Sequence, residues 1–184
     1  MEPSGVPIPA PAGPVHRQAM MPSPAMQPHP VAPPARRSLR HVTKRAALRL
    51  LNLYPPFLGA GVRVRRLPDG YESRLSLHWW NRNYFGTHFG GSLYTMCDPF
   101  FVLYLAGRLG PGYVVWDKTA TIHFRRPGKG TVRASFRIAA ERVSEIRAAV
   151  DRDGKVEPRF ETEVLDQEGE VVARVEKLLH VRRR

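Results

Sequence analysis

Apolar residues recur along the chain with two helical patterns. In residues 39–53 they return every three or four positions, with arginine and lysine mostly between them, which predicts an amphipathic helix. Ser38 can cap the start of this helix, and Pro55 and Pro56 are expected to end it. Residues 90–108 form a longer run with almost no polar face. This run predicts a buried central helix, with a kink or a restart at Pro99.

Elsewhere the apolar residues alternate with polar ones, the pattern of half-buried strands. Two strands, beginning at Val62 and Tyr71, flank a turn at residues 68–70. Four more strands follow the central run. They are separated by hairpin connections at residues 127–130 and 166–169 and by a longer, partly helical connection at 141–154. These four strands are predicted at residues 114–124, 131–139, 156–165 and 171–181.

The predicted elements have one economical packing, in which about six antiparallel strands wrap round the apolar helix and bury it. This is the α+β hotdog fold, here with an additional N-terminal helix. Its usual dimer joins two sheets edge to edge, which would pair a strand edge that is otherwise exposed. The fold is expected to occupy residues 38–184, because residues 1–34 hold eleven of the eighteen prolines and few large apolar groups. Residues 1–37 are therefore expected to be a disordered, proline-rich tail.

Charge and cysteine content limit the partners and the cellular compartment that are expected for the protein. The net charge of +13 makes anionic partners plausible, although basic residues also serve solubility. Nucleic acid is the least favoured partner, because the basic residues match no recognition module. The single cysteine, Cys97, fits a reducing compartment and predicts a cytoplasmic protein. The sequence shows no apolar run long enough for a membrane span and no secretory signal.

Residues 83–98 carry a more specific signal. Asn83 lies six residues before the position that precedes the pair Gly90-Gly91, and Asp98 lies nine residues after that same position. In these spacings the chain resembles the hotdog-fold thioesterase superfamily, in particular thioesterases of the phenylacetate-pathway type. The family has a histidine where this chain has Phe89. Residues 115–118 and 124–127 resemble an uncharacterised, thioesterase-like branch of the superfamily.

The resemblance implies catalytic roles for four residues. Gly90 and Gly91 would present backbone N–H groups to a thioester carbonyl, or would only make a tight turn. Asp98 would be a general base or a nucleophile acting across a dimer interface. Its alternatives are bonds to local backbone groups or pairing with an arginine. Asn83 would hold a water molecule or orient the loop.

Other residues near this segment are candidates for substrate binding. His88 and Phe89 flank the glycine pair, and His88 could replace the family histidine only if the turn is unusual. Lys118, Arg125 and Arg126 could meet the phosphates of coenzyme A, or could be solvated residues at a strand end. Cys97 is expected to lie in the core rather than act as a nucleophile.

Hydrolysis of acyl-CoA or another acyl thioester, by a homodimer or a dimer of dimers, is the leading hypothesis. No cofactor and no metal are expected, because no metal-ligand spacing is present. Two alternatives stay open: a hotdog protein that binds an acyl-CoA or lipid without turnover, and a hotdog dehydratase. The dehydratase would need a histidine and a carboxylate placed together.

Overall fold

The structure, a computed structural model, describes residues 50–184. The predicted tail and most of the predicted N-terminal helix lie outside these residues. Residues 50–52 are helical and the helix ends before Pro55, as expected. The two prolines then begin a further short helix, α1 (Pro55–Ala60), which the sequence pattern did not predict. Proline suits the first helical turn, where its missing N–H has no intrahelical acceptor to lose.

Seven strands and three further helices follow α1 within the described residues. The helices are α2 (Gly90–Thr95), α3 (Phe100–Leu109) and α4 (Ala140–Asp153). The strands are β1 (Val62–Leu67), β2 (Gly70–Ser76), β3 (Tyr113–Phe124), β4 (Thr131–Arg137), β5 (Lys155–Val156), β6 (Arg159–Leu165) and β7 (Val171–Arg183). The connection predicted to be partly helical is the full helix α4.

The described strands form one antiparallel sheet in the order β1-β2-β4-β6-β7-β3. The two-residue strand β5 pairs with the end of β7, and it accounts for seven strands where about six were predicted. The sheet therefore places β3 beside the last strand of the chain rather than beside β2 or β4. Periodicity could not predict this neighbour, because the order depends on how the sheet wraps round the helices.

The central apolar run is two helices, with the break at Pro99. Pro99 caps the start of α3, so the run restarts there, which was one of the two outcomes predicted for this proline. Its buried residues include Leu93, Met96 and Phe100. Leu103, which the helical pattern also placed inward, is 39% exposed.

Aromatic rings fill much of the space between helices and sheet. Phe100 lies 4.7 Å from Phe136 of β4, and Phe101 lies 5.0 Å from Phe160 of β6, measured between ring centroids. These contacts fix the helices against the middle of the sheet. No helix of residues 50–184 is long and apolar enough to cross a membrane.

The two outer strands of the sheet differ. At the β1 edge, the Asn52 side chain donates a hydrogen bond to the Val64 carbonyl (3.0 Å) and accepts one from the Val64 N–H (2.8 Å). At the opposite edge, the twelve-residue strand β3 pairs only with β7 among the described strands, and most of its residues are exposed or half-buried. Among residues 50–184, the sheet therefore has one partly capped edge and one long open edge.

Candidate functional site

The loop before α2 is organised by Asn83. Its side-chain oxygen accepts hydrogen bonds from the N–H groups of Phe85 (3.0 Å) and Thr87 (3.1 Å). Its amide nitrogen donates to the Thr87 hydroxyl (2.9 Å) and the His88 carbonyl (3.2 Å). Both ends of the Asn83 amide are therefore engaged within residues 83–88, and these bonds hold the loop together.

The two glycines begin α2 beneath aromatic rings. A Cβ atom on Gly90 would lie 3.0 Å from the Phe124 ring, and one on Gly91 would lie 2.4 Å from the Phe89 ring. Both rings are more than half exposed. Glycine is therefore required for close approach of these rings, and the first turn of α2 lies at an apolar, accessible surface. The first N–H groups of a helix have no intrahelical acceptor and are available to a ligand.

Asp98 lies between α2 and α3 and belongs to a cluster of three charged residues. Lys177 of β7 donates hydrogen bonds to Asp98 and to Asp117 of β3, the latter at 2.7 Å. The Lys177 side chain is 2% exposed, whereas that of Asp98 is 42% exposed and that of Asp117 is 23% exposed. The cluster thus has a buried ammonium and two carboxylates nearer the surface.

The electrostatics of the cluster follow from burial and from these contacts. Burial alone would lower the pKa of Lys177, but hydrogen bonds to Asp117 and Asp98 more than offset it and raise that pKa. Burial raises the pKa of Asp117; the hydrogen bond from Lys177 opposes this, and the adjacent Asp98 adds to it. Lys177 is therefore an ammonium ion at neutral pH, and two carboxyl groups compete for it.

A protein-family model matches most of the chain. The model described as "Domain of unknown function (DUF4442)" matches residues 43–181, which is more than half of the sequence. The chain belongs to this family. The match lies within the predicted domain of residues 38–184 and includes every candidate site residue. A comparison of this DUF4442 chain with curated proteins gives no match.

Solved structures have the same fold. PA5026 from Pseudomonas aeruginosa, described as a protein of unknown function and probable thioesterase, is 27% identical with a TM-score of 0.68; the alignment covers 78% of this chain and 97% of that one. Thioesterase HI1161 from Haemophilus influenzae is 14% identical with a TM-score of 0.56, covering 78% and 93%. A mutant of thioesterase PA1618 from P. aeruginosa is 10% identical with a TM-score of 0.57, covering 79% and 98%. The resemblance to the hotdog-fold thioesterase superfamily is confirmed.

Two of the three basic candidates of the DUF4442 chain have carboxylate neighbours. Lys118 donates to both oxygens of Glu157 at 2.8 Å, and Arg126 pairs with Asp166. Arg125 is exposed and begins the turn after β3. The Lys118–Glu157 pair is partly exposed, and ion pairs at such positions contribute little to stability.

His88 and Cys97 are directed into the protein. His88 is 3% exposed, and its Nε2 atom lies 3.1 Å from the Gly130 carbonyl oxygen. Burial lowers the pKa of His88, although the bond to Gly130 opposes the shift, so the ring is neutral at pH 7. Cys97 is fully buried, as the sequence predicted. His88 and Asp98 have separate partners, and the described contacts do not form a histidine–carboxylate pair.

Sequence reasoning missed two members of the charged cluster. They are Lys177, which was not a candidate, and Asp117, which was noted only as part of a resemblance; the pairing partner considered for Asp98 was an arginine, whereas the structure has a lysine. One signal was present: Lys177 occupies an inward position of β7, between the buried residues Val175 and Leu179. A lysine at an inward position of an alternating strand needs a buried partner, because an unpaired buried charge is costly.

Proposed function

We propose that this protein hydrolyses acyl thioesters such as acyl-CoA, with Asp98 as the general base for the attacking water. The observation that carries the proposal is a half-exposed carboxylate held by a buried ammonium in an otherwise apolar central segment. A half-exposed carboxylate is accessible to water and to a substrate, and the buried ammonium holds it in place. The thioesterases among its structural neighbours support the same class of reaction.

Gly90 and Gly91 supply the oxyanion site in this proposal. As the thioester carbonyl becomes tetrahedral, its oxygen gains negative charge, and backbone N–H groups at the first turn of α2 stabilise it. The contribution comes from the N–H groups themselves, since a six-residue helix has little macrodipole. Asn83 acts indirectly here, by fixing the loop that leads into the first turn.

The active protein is proposed to be a homodimer, which in turn can form a dimer of dimers. The long open edge of β3 is suited to pairing with the same strand of a second copy. Asp98 of one copy would then act on a thioester held at the glycine pair of the other. Formation of the dimer would also cover the exposed rings of Phe89 and Phe124.

Coenzyme A is the proposed thiol carrier. Arg125, Arg126 and Lys118 lie on or directly after β3, and cations there can pair with the pyrophosphate and the 3′-phosphate. The acyl group would extend over the apolar surface formed by Phe89 and Phe124. His88 is too buried to contact the substrate directly and supports the turn instead.

Asp98→Asn tests this function with a panel of acyl-CoAs and a thiol-detecting reagent. Loss of the base is expected to lower kcat by roughly 100-fold or more with a smaller change in KM. Asp153→Asn is the matched control, because Asp153 pairs with Arg152 at an exposed helix end. Equal turnover by wild type and Asp98→Asn would remove Asp98 from the mechanism.

A second candidate is binding of acyl-CoA without turnover, which the ring of Phe89 over Gly91 favours. Phe89 stands at the position of the family histidine and presents an apolar surface. Titration calorimetry with a nonhydrolysable acyl-CoA thioether, together with the hydrolysis assay, separates the two candidates. Tight binding with no turnover in the wild type would select the binding function.

A further inference from the structure

The charged cluster contains more than a general base needs. A single Asp98–Lys177 ion pair would hold the Asp98 carboxylate in place. Asp117 binds the same ammonium from the neighbouring strand β3, so one positive charge faces two carboxyl groups. With both carboxylates ionised, the cluster has a net charge of −1.

Among residues 50–184, burial and the contacts within the cluster account for the pKa shifts of Lys177 and Asp117. From α2, the Tyr94 ring lies with its centroid 5.2 Å from the Lys177 nitrogen. The thiol of Cys97 is buried next to the same ammonium, and burial raises its pKa to about 12. Burial also raises the pKa of Tyr94, so both groups are neutral at pH 7. Lys177, Asp98 and Asp117 carry the charge that determines how the cluster binds a proton.

A purely structural role explains Asp117 poorly. Its Oδ2 atom accepts the hydrogen bond from Lys177, but its Oδ1 atom is buried and has no hydrogen-bond partner among residues 50–184. A buried carboxylate oxygen without a donor is destabilising. Burial also raises the pKa of Asp117, so its charge is maintained at a cost.

The second carboxylate shares the Lys177 ammonium with Asp98. An ammonium bonded to a carboxylate stabilises the ionised form and weakens it as a base. A second negative charge on the same ammonium opposes this stabilisation. Lys177 still fixes the direction of the carboxylate, because its own side chain is almost completely buried.

We propose that Lys177 and Asp117 are positioning residues for Asp98: Lys177 aims the carboxylate, and Asp117 offsets the lysine charge so that Asp98 remains an effective base. The inference rests on the hydrolase function proposed above. In the reaction, Asp98 takes a proton from water while the water oxygen bonds to the thioester carbonyl carbon. The C–S bond then breaks, and the proton passes from Asp98 to the departing thiolate, giving a carboxylic acid and a thiol.

Replacing the two positioning residues is expected to move the acid limb of the pH–kcat profile in opposite directions. Asp117→Asn removes one of the two coupled carboxyl groups, and with it the proton that the pair retains, so the limb moves to lower pH. Lys177→Met leaves two adjacent carboxyl groups without a cation, so the pair retains a proton and the limb moves to higher pH. Lys177→Arg keeps the charge and is expected to retain the wild-type limb, with a lower kcat because the donor geometry changes.

The limbs are measured with acyl-CoA hydrolysis, after circular dichroism has shown that each variant is folded. Coincident limbs, or shifts in the same direction, would overturn the inference. If Lys177→Met does not fold, the comparison of Asp117→Asn with Lys177→Arg still decides, since only the former is expected to move the limb.

A readout independent of turnover separates this inference from the hydrolase function. Carbon-13 NMR of labelled aspartate carboxyl groups follows proton uptake by the pair in wild type, Asp117→Asn and Lys177→Met. Opposite shifts in a protein with no hydrolytic activity would support the coupling and refute the proposed function. Turnover that depends on Asp98, together with unshifted carboxyl titrations, would support the hydrolase function and refute the coupling.

Discussion

Replacing Gly91 with alanine tests whether a substrate approaches the first turn of α2. The new Cβ would lie 2.4 Å from an atom of the Phe89 ring, which is closer than real Cβ contacts allow. The ring belongs to a side chain that is 57% exposed, so it can rotate away. Displacing it costs about 0.5–1.5 kcal/mol if it leaves a rotamer minimum.

The same substitution also stabilises the helix. Alanine is favoured over glycine within a helix by about 0.5–1 kcal/mol, so the two effects nearly cancel. Gly107 is a matched control, because it is an exposed glycine in α3 with no atom within 4 Å of its added Cβ. Gly107→Ala is expected to raise Tm by about 2–4 °C, and Gly91→Ala is expected to change it by less than that.

Activity is expected to separate the two variants. The methyl group on Gly91 and the displaced Phe89 ring would occupy the approach to the backbone N–H groups. Loss of one oxyanion donor typically lowers kcat by about 100-fold or more, so partial obstruction is expected to lower kcat/KM by about tenfold or more. Thermal unfolding and thiol release from acyl-CoA measure both properties. Hydrolysis by Gly91→Ala as fast as by Gly107→Ala would refute the oxyanion assignment.

Three further predictions concern stability and reactivity. Because burial raises the pKa of Cys97 to about 12, its thiol should stay unlabelled by maleimide in the native protein and react after unfolding in guanidinium. Because burial lowers the pKa of His88 below 6.5, its protonation favours unfolding, so wild type should lose more stability than His88→Gln as pH falls from about 7.5 to about 5; parallel Tm curves for the two proteins would contradict this. Gly70→Ala would place a Cβ 1.7 Å from the backbone oxygen of Phe136, so urea unfolding should show a loss of at least about 2–3 kcal/mol, and a stable Gly70→Ala protein would contradict the strand spacing.

Local patterns predicted most of the elements. Alternation placed β2 and β3 within a residue or two of their ends, since each strand has one face against the helices. Proline chemistry correctly placed the restart of the central run, because Pro99 cannot donate the hydrogen bond that a continuous helix needs. The helical segments at α1 and α4 were missed or only partly predicted, because short helices are stabilised by packing more than by their own sequence.

The candidate site was predictable only in part. Spacing identified Asp98 and the glycine pair, since they lie within one short segment of the chain. It could not identify Lys177, which is 79 positions away from Asp98, or show that Asp117 shares its ammonium. Such a contact depends on the order of strands in the sheet, and sequence periodicity contains no information about that order.

The sequence alone determined which faces are apolar, because burial of apolar surface is the main driving force and fixes the period of each element. It therefore determined the helix–sheet layering and showed Asp98 as a charged residue within an apolar helical run. The tertiary structure decided how that charge is held. Only when β3 and β7 become neighbours beside the central helices can one buried ammonium bind carboxylates from two distant segments, and the low polarity of that position makes each contact matter.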